Sequence, residues 1–87
     1  MKDLEKLRSK LSEVDLKIID LIHERKVLAE EIGAYKRDKG QPTRDYIREK
    51  QVIELAQSHA KSLDVDTNLV VDLMQLLIKS SLKTQEF

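Results

Sequence analysis

The sequence predicts an all-α protein of three helices, the first very long, with two copies of the chain joined in a homodimeric helical bundle. Three observations carry this. Apolar residues recur at alternating spacings of three and four. Strand signals are weak, with no sustained period-2 alternation and no Asn-Gly or Asp-Gly hairpin turn. Helix breakers are scarce, with two glycines and one proline in 87 residues. No internal repeat or low-complexity segment divides the chain, so residues 1–87 are expected to form a single domain.

The first helix is read from Leu4, Leu7, Leu11, Val14, Ile18 and Leu21, then Leu28, Ile32 and Tyr35, a seam sustained over about four heptads. Gly33 alone weakens it, and the first breakers are Gly40 and Pro42, so the helix is expected from about Asp3 to about Lys39. At 1.5 Å per residue it spans roughly 50 Å, whereas a compact domain of this size has a diameter of roughly 30 Å. Such a helix overhangs any monomeric fold and leaves an apolar seam bare, which marks a partner surface, and a two-fold homodimer is the commonest solution. The second helix follows Gly40-Gln41-Pro42-Thr43 and reaches roughly Lys61, with sparser apolar positions. Around residues 62–66 the pattern stops, and Asp64 or Asp66 suits an N-cap. The third helix runs to about Thr84 and, carrying Leu69, Val70, Leu73, Met74, Leu76, Leu77 and Ile78, is expected to be the most buried. The loops are short, so consecutive helices are expected side by side.

Composition excludes several classes. Charged residues make up 37% of the chain, balanced at 16 basic and 16 acidic, whereas a nucleic-acid binder needs an excess of Lys and Arg on one face. There is no cysteine, hence no disulfide framework and no thiolate zinc site. His23 and His59 have no ligand partner at helical spacing, so no metal site is expected. Met1-Lys2-Asp3 runs straight into the amphipathic pattern without an apolar leader, and no stretch approaches a membrane span. The expected compartment is the cytoplasm.

The informative residues are those that break the stripes. Arg25 occupies a heptad slot between Leu21 and Leu28, and a buried guanidinium is costly unless paired. It is either a snorkelling or salt-bridged arginine or part of a binding site. Lys36 lies eleven residues on, close to three turns, and shares that face roughly 16 Å along the axis; lysines near helix ends are often merely solvated. Asp45, Arg48, Glu49 and Val52 form one face of the second helix, which could equally be acids placed at the positive end of the helix dipole. Ser81 and Gln85 extend the third helix's stripe, or are polar because the chain end frays. Arg8 lies about 25 Å before Arg25 and roughly 100° round the helix. If both serve one small molecule, they come from different chains. No nucleophile motif or glycine-rich phosphate loop is present, so the chemistry open to these donors and cations is electrostatic stabilisation.

In order and without a gap, several segments resemble one family. They are Leu7-Arg8, the run Leu21-Ile22-His23-Glu24-Arg25-Lys26-Val27-Leu28-Ala29, Ile32-Gly33-Ala34-Tyr35-Lys36, Pro42-Thr43-Arg44-Asp45-Tyr46-Ile47-Arg48-Glu49, and Ser81-Leu82-Lys83-Thr84-Gln85. Over essentially its whole length the chain is similar to the all-helical (type II) chorismate mutases. The resemblance implies an intertwined dimer with two equivalent sites, each built from both subunits. It implies an isomerase that rearranges chorismate to prephenate, on the shikimate branch towards phenylalanine and tyrosine, with no cofactor, metal or covalent intermediate.

The roles it implies are these. Arg8 of one chain and Arg25 of the other grip the two substrate carboxylates, with Arg48 organising that end of the pocket. Lys36 and Gln85 donate to the ether oxygen, where charge grows as the C–O bond breaks. Glu49, with Asp45 nearby, addresses the ring hydroxyl, and Ser81 hydrogen-bonds near a carboxylate. Two other readings stay open: an isochorismate-pyruvate lyase, which resembles the same fold and cationic pocket, and a helical dimerisation or regulatory module without catalysis. A pure scaffold would gain stability from an apolar residue in place of Arg25, which weighs against the module.

Overall fold

The computed structural model describes residues 3–86. Met1, Lys2 and Phe87, which the expected single domain includes and the first two of which entered the reading of the N-terminus, lie outside the described residues. Three helices follow one another: α1 (Leu4–Asp38), α2 (Tyr46–Ser62) and α3 (Thr67–Gln85). All three begin on an aspartate. Asp3, Asp45 and Asp66 each accept a hydrogen bond from a first-turn backbone N–H, at 3.1, 3.0 and 2.9 Å, so one otherwise orphaned donor per helix is satisfied. Of the two candidate caps before α3, Asp66 is the one used, and α2 starts later than expected because Asp45 is its extended cap.

The ends of α1 and α2 share another device. After α1, Gln41 N–H donates to Lys36 O (2.8 Å) and Gly40 N–H to Arg37 O (3.3 Å), with Gly40 at φ 66°. After α2, Val65 N–H donates to Ala60 O (2.8 Å) and Asp64 N–H to Lys61 O (3.2 Å), with Asp64 at φ 56°. Both are Schellman closures, in which a left-handed residue turns the chain off the helix while covering its last carbonyls. Asp64 itself therefore ends α2 rather than starting α3.

The packing differs from expectation in one respect. α3 packs against both α1 and α2, whereas α1 and α2 do not approach each other among the described residues. The two are held apart by a cavity that both line, and α3 bridges it from the third side. As expected, α3 is the most buried of the three helices, though only partly covered within one chain. Met74, Leu77 and Ile78 are half-buried, Leu69, Leu73 and Leu76 are exposed, and no apolar side chain of α3 is buried.

The molecule measures 59 × 24 × 15 Å, with a radius of gyration of 16.3 Å against the about 12 Å of a compact domain of this length. Among the described residues Ala29 and Ala60 are the buried apolar ones, each 4% exposed. The α1 seam lies open from Leu4 through Leu11, Ile18 and Leu28 to Tyr35. No helix among the described residues is long and apolar enough to cross a membrane.

Candidate active site

The cavity between the three helices has a volume of about 310 Å³ and an open mouth. α1 contributes Arg25 and Lys36, the start of α2 contributes Asp45, Arg48 and Glu49, and the end of α3 contributes Ser81 and Gln85. Seven of the eight residues singled out from the sequence thus line one space. Between them Leu28, Ile32, Val52 and Ile78 supply apolar walls. Arg8, the eighth, is exposed on the N-terminal arm of α1 and does not line this cavity.

Arg25 is half-buried, and its Nη1 donates to Ser81 Oγ (3.0 Å) and to Leu77 O (3.3 Å) on α3. Those bonds offset part of its desolvation and fix the plane of the guanidinium. One turn further along α3, Gln85 is 8% exposed. Lys36 Nζ donates to its side-chain Oε1 at 2.7 Å and to Thr43 O at 2.6 Å. Because an ammonium can only donate, Oε1 must be the atom facing Lys36, which leaves the amide Nε2 as a donor. On the other side Arg37 Nη1 donates to the backbone Gln85 O at 2.6 Å. Two cations of α1 therefore meet the negative end of the α3 dipole.

The close approach here depends on Gly33. A methyl at that position would stand 2.9 Å from Gln85 Cα and 3.0 Å from its carbonyl oxygen. In sequence, Gly33 reads only as a weak point in a helix; in the fold it is where α3 lies against α1.

At the mouth, Asp45 Oδ1 accepts from Arg48 N–H, so this carboxylate is partly spent as the α2 cap. Glu49 is held by both arms of Arg44, Nε to Oε2 and Nη2 to Oε1, each at 3.1 Å. Arg44 in turn lies 4.4 Å from the Tyr46 ring centroid, in cation–π contact. The lining carries three cations against two carboxylates, one of which Arg44 already neutralises, and the N-terminus of α2 adds a positive dipole end. The field favours an anion. Neither serine, cysteine nor histidine stands there as an activated nucleophile: Ser81, the one hydroxyl or thiol among those types in the lining, is engaged by a cation rather than a base.

Sequence reasoning did not find Arg37, Arg44, Thr43 or the role of Gly33. Arg37 lies among Lys36, Asp38 and Lys39, where nothing in the local pattern sets it apart. Arg44 was visible only as part of a motif. No local pattern reveals that Thr43 offers a carbonyl.

The sequence matches the family model described as chorismate mutase type II over residues 7–86. A protein named chorismate mutase from Methanocaldococcus jannaschii is 34% identical over 83 residues, covering 95% of this chain and 84% of that protein. Proteins named bifunctional chorismate mutase/prephenate dehydratase from Buchnera aphidicola and Escherichia coli are each 36% identical, over 97% and 92% of this chain. The chain spans 22% and 21% of those two longer proteins. The match runs from the exposed arm of α1 to the last turn of α3, and so takes in every helix that lines the cavity: the chain belongs to the chorismate mutase type II family.

Proposed function

We propose that the chain is a chorismate mutase, a single domain acting in the cytoplasm as an intertwined homodimer whose two equivalent sites each draw on both subunits. The observation that carries this reading is the anion-attracting cavity whose lining holds Arg25, Lys36, Arg48, Ser81 and Gln85 together and offers donors without a nucleophile. A rearrangement in which one C–O bond breaks as one C–C bond forms needs no proton transfer and no covalent intermediate. What it needs is a flexible dianion held in a compact, chair-like shape, with donors aimed at the oxygen that gains charge.

In this reading Arg25 grips one substrate carboxylate. Its two bonds to α3 use Nη1, and a guanidinium has five donors, so a bidentate edge is available. Ser81, which orients Arg25, stands beside that carboxylate, and Arg48 closes the same end. The second carboxylate meets the partner subunit's Arg8. Arg8 and Arg25 of one chain are about 25 Å apart along α1, too far for one small molecule, whereas two crossing α1 helices bring one from each chain to the same mouth. Lys36 and Gln85 donate to the ether oxygen. Glu49, oriented by Arg44, accepts from the ring hydroxyl with Asp45 adjacent. The bare α1 seam is what the second copy covers.

Incubation of the purified protein with chorismate and, separately, with isochorismate tests the reaction. Prephenate from chorismate at enzymatic rate is the expected product, identified by mass and loss of chorismate absorbance. Salicylate and pyruvate from isochorismate, without prephenate, would make the protein a lyase; turnover of neither would make it a non-catalytic module.

A further inference from the structure

The geometry points to Arg37 as a positioning residue for catalysis, one that acts through Gln85 from outside the substrate cavity. This inference rests on the reading of Gln85 as a donor to the ether oxygen. Arg37 does not line the cavity. It lies in the groove behind it, between α1 and α3, with Lys26, Glu30, Lys83 and Thr84. From there its Nη1 reaches the backbone carbonyl of Gln85 at 2.6 Å.

That carbonyl belongs to the last residue of α3, so it has no intrahelical acceptor role to fulfil. Without another hold, the final turn of a helix frays, and Gln85 is on that turn. Lys36 fixes only the far end of the side chain, through Oε1; it does so equally well for a family of backbone positions, because both side chains are flexible. Arg37 removes that freedom by fixing the main chain. Gly33 supplies the second constraint, since its missing Cβ lets Gln85 Cα and the Gln85 carbonyl settle against α1. Arg37 is also within contact of this spot, its Nη1 3.3 Å from where a Gly33 Cβ would be. Gln85 is thus held at both ends, by Lys36 at the amide and by Arg37 at the carbonyl. The amide Nε2 is aimed by the combination.

A misplaced donor loses transition-state stabilisation while substrate binding through the arginines is kept. Arg37→Met, which keeps an unbranched stem and good helix propensity, is therefore expected to lower kcat roughly 10-fold with KM little changed, less than the order of 10²–10³ for losing an oriented donor outright. Arg37→Lys, which can still donate to the carbonyl, is expected to recover most of the loss. The decisive measurement is a double-mutant cycle with Gln85→Ala, with helix content followed by circular dichroism in every variant. The expected result is that Arg37→Met costs nothing further once Gln85 is Ala. The inference is overturned if Arg37→Met leaves kcat at the native value, or if its cost persists undiminished in the Gln85→Ala background. Native turnover in Gln85→Ala alone is a different failure: it removes the role of Gln85 itself, and with it the premise.

Discussion

Gln85 concentrates the residue-scale questions. It is the one buried polar side chain among the described residues, it receives Lys36 at its amide oxygen, and its backbone is received by Arg37. Gln85→Glu exchanges an amide donor for a group that donates only when protonated. The variant is expected to gain kcat/KM as pH falls through the pKa of the introduced carboxyl, and to be weakest at neutral pH, where the carboxylate would face developing negative charge. Lys36 beside it favours the ionised form while the burial of the position favours the neutral one, so the pH at which the rise comes reports their balance. A pH profile as flat as that of the parent would take Gln85 out of the site. Gly33→Ala tests the same point from the other side. Replacing a mid-helix glycine gains about 1 kcal/mol of helix propensity, but a Cβ 2.9 Å from Gln85 Cα imposes overpacking of typically 1–3 kcal/mol. Stability is expected to change little or fall modestly while kcat drops clearly, because the displaced atoms belong to Gln85. Native kcat in this variant would show that α3 can shift there without consequence. The sequence disclosed Gln85 through its place on a stripe and through the resemblance. The reason for Gly33 is a contact with a residue 52 positions later, and helical periodicity has no access to that.

At the scale of elements, helix extents were readable because they are locally encoded: aspartate caps, Gly40, and a seam of alternating threes and fours. Which helix lies on which was not. Short loops favour neighbours in sequence, yet α3 intervenes between α1 and α2, because the space they would have shared is the cavity. The end of α2 also hid its mechanism. Asp64 reads as a helix cap, but it occupies the left-handed C′ position of a Schellman closure at φ 56°. A side chain there costs roughly 1–2 kcal/mol relative to the right-handed region, and glycine is the usual occupant. Asp64→Gly is expected to stabilise the protein by about 0.5–1 kcal/mol, the relief being partly offset by glycine's greater freedom when unfolded. Denaturant unfolding checks this, with activity unchanged; a lower midpoint would mean that the aspartate carboxylate makes a contribution of its own.

For the whole molecule, the sequence argument for a partner rested on length, and the extended shape and uncovered seam fit it. Seven of the residues singled out from the sequence line the cavity because helical spacing brings them to one face of each helix; Arg8 does not line it, and its proposed place depends on a second chain. Complementation tests that dependence. Arg8→Ala and Arg25→Ala are each expected to lose about 10²-fold or more in kcat/KM, by analogy with removal of a single oriented donor. Unfolded and refolded together, they are expected to form mixed dimers in which one site inherits both intact arginines and the other inherits neither. With half of the dimers mixed and one site of two restored, about a quarter of native activity is expected to return in a closed two-fold assembly. No recovery on mixing would place both arginines in one chain's site, or neither in any.

The two buried alanines carry a consequence for how the protein comes into being. A single chain whose fully buried apolar side chains, among the described residues, are Ala29 and Ala60 has little with which to repay the conformational entropy of ordering three helices. In the proposed dimer the native state would be reached by encounter rather than by collapse, and folding would be a second-order process whose yield depends on how many copies are present. Dilution is then expected to act as a denaturant, and the midpoint of thermal unfolding to climb with concentration. Synthesis rate would then set not only how much of the protein a cell holds but what fraction of it is folded.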